Sequence, residues 1–313
     1  MAVPEPVRSR RSVWRARRVV DVDATWGPLQ RGSGDPAWKR RGGWLFRGIR
    51  TPHGPATLAV TTTRGQEEVM AQAWGSGASS DWVLGRLPAM LGAQDDTTGF
   101  AVQHEVLRRP WRARPGWRVP YTGLVMESLV PAIIEQKVTG AEAFAGERAL
   151  LWRFGSLAPG AGAEIGLRVA PPPSRLAAIA SWEWLQMGIT PQRSAVLMRV
   201  ARIADRLEEF ALSDPEETCR RMRSVPGIGL WTVAEVAHRA LGHADAVSFG
   251  DYHVAKNIGW ALTGSEVDDA GLAELLASYR PHRYRVQRLV EMGGLSRPRR
   301  GPRMSPPTHL PSR

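Results

Sequence analysis

Cysteine is almost missing from this sequence. Cys219 stands alone among 313 residues, so no disulfide can close within the chain and no cysteine-ligated zinc or iron–sulfur cluster can be assembled from it. Long apolar runs are missing too. No stretch is long enough to span a bilayer, and the arginine-studded start (Arg8, Arg10, Arg11, Arg15, Arg17, Arg18) lacks the apolar centre of a secretory signal. The chain reads as a soluble cytoplasmic monomer with no membrane partner, no cysteine-held metal and no organic cofactor. Acidic residues are the third scarcity: 30 Asp+Glu against 42 Lys+Arg leave a net charge of +12, which points to a polyanionic partner.

The charge is unevenly placed. Residues 1–50 hold twelve basic and four acidic side chains, and residues 280–313 hold nine and one. Basic ends around a near-neutral body suit double-stranded DNA better than a uniformly basic globule does. With 43% hydrophobic residues the chain can bury a core, and its length suits two packed units with tails. Residues 1–18 read as a basic arm, 19–115 as a mixed α/β unit, 116–295 as a helical unit, and 296–313 as a basic, proline-rich tail without a fold of its own.

In the first unit, residues 44–50 and 56–63 alternate as strands across the Pro52-His53-Gly54-Pro55 turn, while the runs from Glu67 and from Asp81 read as helices. The expected class is α+β, an antiparallel sheet with helices on one face. In the second unit, Val125, Leu129 and Ile133 recur every four residues beside Val130, Ile134 and Val138, which predicts a helix with a wide buried face that Pro131 bends or starts. Residues 158–173, rich in Gly, Ala and Pro, read as a loop. Thr190-Pro191 and Asp214-Pro215 read as helix starts, Glu217 being placed to reach back to Asp214.

The most informative stretch is Val225-Pro226-Gly227-Ile228-Gly229-Leu230-Trp231-Thr232, between two helical segments. The glycines allow a tight turn and close approach, Ile228 can point into the core, and amides at the start of the next helix can face a phosphate. The same tetrapeptide also serves ordinary helix–helix turns. Twenty residues past Trp231 comes Asp251, within Phe249-Gly250-Asp251-Tyr252-His253-Val254. A carboxylate there suits either a helix cap or the stabilisation of positive charge on a sugar.

This hairpin, the spacing to Asp251, and the runs 130–140 and 185–197 resemble the DNA-3-methyladenine glycosylase II family of the helix-hairpin-helix DNA glycosylase superfamily. The resemblance implies a TATA-binding-protein-like sheet domain ahead of an all-α glycosylase domain. It makes Asp251 the catalytic carboxylate and Trp231, Tyr252, Glu235 and Glu291 candidates for the base pocket. Two of these, Glu235 and Glu291, stand where the family can carry aromatic residues. DNA contacts are implied for Gln136, Lys137, Val138, Val225, Pro226, Gly227, Ile228, Gly229, Thr232 and His253, with Lys137 at the position that enters the duplex. Strand-cutting relatives carry a lysine two residues after the second hairpin glycine. Trp231 at that place implies a monofunctional enzyme acting on alkylated purines, with another lesion or a purely DNA-binding role as alternatives. A structural monovalent cation held by backbone carbonyls around Val225 and Ile228 is also implied, and an iron–sulfur cluster is not.

Overall fold

The computed structural model describes residues 8–63 and 65–298. Residues 1–7 of the expected arm and 299–313 of the expected tail lie outside the described residues. The first unit is an antiparallel sheet of β1 (Arg8–Arg15), β2 (Trp38–Arg41), β3 (Trp44–Thr51), β4 (Gly54–Thr62) and β5 (Glu68–Gly75), in the order β1-β5-β4-β3-β2. A short helix α1 (Val22–Trp26) follows β1, and α2 (Gly77–Met90) follows β5. The side chain of Ser76 caps α2 by accepting from the Ser79 N–H. Ile49, Leu58, Val60, Val69, Ala71 and Ala73 of the sheet then bury against Val83, Leu87 and Met90 of α2 and against Trp26 and Trp38.

Two expectations fail here. The run from Glu67 is strand β5 and not a helix. Its Glu, Met and Ala residues favour helices, but Val69, Ala71, Ala73 and Gly75 are buried in strict alternation with outward neighbours, and tertiary pairing overrides the local preference. The arginines from Arg8 to Arg15, read as part of an arm, form β1. They pair in register with β5 from Arg8 opposite Gly75 to Arg15 opposite Glu68. Arginines along an exposed edge also discourage further strand pairing.

Residues 158–173, read as loop, contribute α6 (Ala161–Glu164) and the second strand of a small ribbon, β6 (Ser156–Leu157) with β7 (Arg168–Val169). Leu167 and Val169 bury beside Phe46 on the sheet face. Gly48 makes this possible, because a Cβ there would stand 2.2 Å from the Arg168 carbonyl oxygen.

The helical unit runs through α3 (Arg108–Ala113), α4 (Val125–Ile134), α5 (Gly140–Phe154), α7 (Pro173–Ala177), α8 (Ser181–Gln186), α9 (Pro191–Arg202), α10 (Ala204–Glu208), α11 (Pro215–Arg223), α12 (Leu230–Ala240), α13 (Val254–Thr263), α14 (Asp269–Leu275) and α15 (Arg283–Met292). The expected stripe of α4 is buried, with Pro131 inside the helix, while Val138 lies past its end and packs against the same cluster. Asp214 caps α11 as expected, but Glu217 turns forward to Arg220 and Arg221 and does not reach back. The boundary near 115 is also not where packing changes. Phe100, Val102, Val106, Leu107 and Trp111 pack with residues of α13, α14 and α15. The fully buried Arg285 binds Asp95, and Arg47 of β3 binds Glu127 of α4 at 2.6 Å.

Candidate active site

The hairpin between α11 and α12 alternates in exposure: Val225 and Ile228 are buried in the helical core, whereas Pro226, Gly227, Gly229 and Leu230 are exposed. Its two glycines do different things. Gly227 has φ +96°, and a Cβ on it would lie 2.4 Å from Val196 Cγ2, so this position is fixed by folding. Gly229 has extended backbone and nothing near its missing Cβ. It opens α12 and leaves the helix N-terminus accessible to an anion.

The turn after α4 is fastened to this hairpin. Gln136 donates through Nε2 to the Gly227 carbonyl and to Thr232 Oγ1, both at 3.0 Å, and Arg199 donates to the Pro226 carbonyl. Thr232 is buried, Val138 is half-buried, and Lys137, between Gln136 and Val138 in sequence, is exposed with φ +56°.

Asp251 sits just after Gly250, whose φ of +84° turns the chain into α13. Its Oδ1 accepts from the backbone N–H groups of His253 (2.7 Å) and Val254 (3.0 Å), while its Oδ2 accepts from the Trp231 indole at 3.1 Å. The carboxylate therefore holds the backbone at the start of α13, ahead of its N-cap His253, and meets the aromatic side chain at the start of α12. Asp269 steadies the same turn by accepting from the Gly250 N–H. Tyr252 and His253 do not close a pocket. Tyr252 is 68% exposed, His253 packs edge-on against it, and Lys256 lies over the Tyr252 ring.

Glu235, one turn beyond Trp231, is buried and fully engaged. Ser248 Oγ donates to it at 2.5 Å, and Arg239 donates to its other oxygen. Burial acts to raise its carboxyl, but Arg239, His238 and Ser248 outweigh that and hold it at about 2. Burial and Arg239 push the neighbouring His238 down to about 3, and its ring stacks on Tyr284 at 4.0 Å. From Ser248 the network continues to Gln287, which accepts from the Ser248 N–H and donates to Glu291 at 3.1 Å. Arg288 also donates to Glu291, which is partly exposed. Glu235 and Glu291 thus belong to one hydrogen-bonded wall, each paired with an arginine. Because Asp251 N–H donates to the Ser248 carbonyl, the wall also anchors the turn bearing Asp251. Residues of the sheet unit flank it, the Pro28 and Ala24 carbonyls accepting from Arg239 and Arg288.

Sequence reasoning missed Ser248, Gln287, Arg239 and Arg288. Gln287 and Glu291 are four apart on one helix face, a spacing that was available. Among the described residues no group of three or more His, Cys, Asp and Glu side chains is placed to hold a metal ion, and no helix is long and apolar enough to cross a membrane.

The fold that carries this geometry is shared with solved structures of DNA glycosylases. It matches the 3-methyladenine DNA glycosylase from Archaeoglobus fulgidus with a TM-score of 0.73 at 16% identity, over 90% of this chain and 98% of that one. An 8-oxoguanine glycosylase/lyase from Clostridium acetobutylicum matches with a TM-score of 0.67 at 11% identity, over 92% and 98%. A 3-methyladenine DNA glycosylase from Schizosaccharomyces pombe, in complex with abasic DNA, matches with a TM-score of 0.50 at 17% identity, over 61% and 93%. No protein-family profile and no curated protein sequence matches the chain.

Proposed function

We propose that this protein is a monofunctional DNA glycosylase of base-excision repair, hydrolysing the N-glycosidic bond of alkylated purines such as 7-methylguanine and 3-methyladenine in duplex DNA. The observation that carries the reading is the Trp231–Asp251 hydrogen bond beside an exposed hairpin. Breaking the bond to the base builds positive charge on the sugar, and a carboxylate already oriented by three N–H groups stabilises that charge without reorganising. The oxygen of a water bonds C1′, the glycosidic electron pair leaves with the base, and the proton released by the water passes to Asp251. With Trp231 where a strand-cutting enzyme needs a lysine nucleophile, this position forms no Schiff base. The indole face suits a purine ring carrying positive charge.

The hairpin amides hold phosphate, and Lys137 fills the gap left by the extruded nucleotide. A monovalent cation held by backbone carbonyls around Val225 and Ile228 would add a bridge to phosphate. The protein works as a monomer on cytoplasmic, nucleoid DNA.

One observation favours a second reading of the substrate. The two glutamates are paired with Arg239 and Arg288, so the wall presents hydrogen-bonding edges and not aromatic faces, which suits an oxidised or deaminated base. Duplexes carrying single defined lesions, incubated with wild type and Asp251→Asn, test both. Release of 7-methylguanine or 3-methyladenine supports the first, and release only of an oxidised or deaminated base supports the second. DNA binding that survives Asp251→Asn, with no release by wild type, leaves a binding protein.

A further inference from the structure

Of the 13 tryptophans, only Trp152, Trp182 and Trp260 are exposed, the first two at 53% and 57%. Contacts join those two into one surface. Trp152, in the last turn of α5, carries the Arg168 guanidinium of β7 over its ring at 4.5 Å. The exposed Leu157 of β6 pairs with Arg168 across the ribbon, so both point to the same side. Next to Trp152 in sequence, Arg153 donates to Gln186 of α8 at 2.8 Å. Trp182, Leu185 and Gln186 stand at i, i+3 and i+4 on one face of α8, while Trp184 is buried in the helical core. Leu185 is exposed as well. Arg175 of α7 adds a third guanidinium, 5.1 Å from the Phe154 ring that Arg153 also covers. The one carboxylate in these stretches, Glu183, accepts from the Ala180 N–H at the start of its own helix. A band of exposed apolar side chains interspersed with arginines thus runs from the ribbon across α5 to α8.

We propose that Trp152, Leu157, Trp182 and Leu185, framed by Arg153 and Arg168, form a docking surface for an acidic segment of a partner protein, one whose carboxylates are interspersed with apolar side chains. The inference stands apart from the glycosylase reading and does not rest on it. Large apolar side chains exposed in one band mark an interaction site, and tryptophan and arginine are the residues that most often carry binding energy at one. Charge decides the occupant. Three arginines meet one carboxylate that is already engaged, so an acidic segment is attracted and its carboxylates accept from guanidinium groups held in place over aromatic rings. A second copy of this chain, at a net charge of +12, is repelled. Residues 299–313 are equally unsuited, since they hold four arginines and no acidic residue. A nucleic acid strand would engage the arginines but leave Leu157 and Leu185 without apolar cover. The surface is also remote from the hairpin. Thr139, which caps α5, comes three residues after the hairpin-bound Gln136, and Trp152 lies about 20 Å further along that helix. A partner seated there leaves the hairpin open.

The test is fluorescence anisotropy of the full chain with four labelled probes. These are a peptide in which Asp alternates with Phe and Leu, the same peptide with Lys for Asp, the same with Ser for Phe and Leu, and a single strand of thymidylates. The acidic apolar peptide should bind wild type, and Trp182→Ala and Arg153→Glu should each weaken it by about thirtyfold, the scale of an interface hot spot. Both side chains are exposed, so the melting temperature should hold in both variants, and Trp182→Ala should keep the duplex DNA affinity of wild type. No binding of that peptide, binding that either variant leaves intact, or equal binding of the Lys or the Ser peptide overturns the proposal. A thymidylate strand held more tightly than the peptide and released by the same variants overturns it in favour of nucleic acid. A dimer in sedimentation that Trp182→Ala disperses overturns it in favour of a second copy.

Discussion

The Trp231 indole N–H donates to Asp251 Oδ2 across 3.1 Å, joining the second residue of α12 to the turn that leads into α13. Through this bond the helix that follows the hairpin orients the carboxylate. Trp231→Phe keeps an aromatic face and removes the donor. It should lower the single-turnover rate of base release by about tenfold, the worth of one neutral-to-charged hydrogen bond, with a melting temperature within a few degrees of wild type. An unchanged rate would detach the indole from the chemistry.

The two hairpin glycines separate folding from DNA binding. Gly227→Ala combines positive φ with a clash against Val196, so it should destabilise the protein by about 1–3 kcal/mol. Gly229→Ala meets open space and should leave the melting temperature nearly unaltered, yet weaken duplex affinity several-fold by placing a methyl group between backbone and phosphate. Anisotropy titrations run beside thermal melts check both. Full affinity in Gly229→Ala would move the phosphate elsewhere.

How much of this was legible in the sequence follows from how local each feature is. The hairpin could be read because Pro226, Gly227, Ile228 and Gly229 set the turn within a few residues, and Asp251 because it follows at short range. The wall of Glu235, Ser248, Gln287 and Glu291 spans residues brought together by packing of α12 against α15. Glu235 therefore looked like an exposed or base-facing carboxylate, when Arg239 and Ser248 already occupy it. Strand β1 was hidden for a similar reason. What makes Arg8–Arg15 a strand is the free edge of β5 sixty residues later in the chain, and nothing in the arginines themselves.

Two buried glutamates should respond to pH in opposite senses. Glu235 is held near 2 against an ordinary value of 4.5, so its contribution to stability is present above pH 4.5 and is lost as the pH falls toward 2. Glu147 on α5 is pushed up to about 8 by burial, with Arg31 only partly opposing. The folded state favours its neutral form, so its contribution is full below pH 4.5 and is lost as the pH rises toward 8. Glu147→Gln should match wild type at pH 4 and exceed it by a margin growing about 1 kcal/mol per pH unit above 4.5. Glu235→Gln should cost about 3–5 kcal/mol at pH 7, because Arg239 is left buried without its partner. Urea denaturation between pH 4 and pH 8 measures both, and parallel curves for Glu147→Gln and wild type would refute the first.

The basic ends and the exposed hairpin predict sequence-independent duplex binding that weakens steeply with salt. Contacts to about six phosphates give a log–log slope near −5. Affinity that is flat between 50 and 200 mM salt, about the range over which such slopes are usually read, would remove phosphate contacts from the account.

The last expectation concerns the reaction itself. On methylated duplex DNA the wild type should release 7-methylguanine or 3-methyladenine and leave an unbroken abasic strand, since position 231 offers an indole and no amine. Asp251→Asn keeps the size of the side chain, and its amide oxygen can still accept from the His253 and Val254 N–H groups at the start of α13. Its NH2 group then faces the Trp231 N–H, donor against donor, so a stability loss of about 1 kcal/mol is expected. The charge is gone, and with it the group that meets the developing positive sugar. A well-placed electrostatic group of this kind is worth on the order of 3 kcal/mol at the transition state, so turnover should fall by about a hundredfold or more while duplex affinity persists. The assay is base release by chromatography alongside denaturing gels run with and without alkali. Strand breaks before alkali, an adduct trapped by borohydride, or full activity in Asp251→Asn would each overturn water-dependent hydrolysis at Asp251. Release of a different damaged base, abolished by the same substitution, would keep the mechanism and transfer the choice of substrate to the wall of Glu235, Ser248, Gln287 and Glu291.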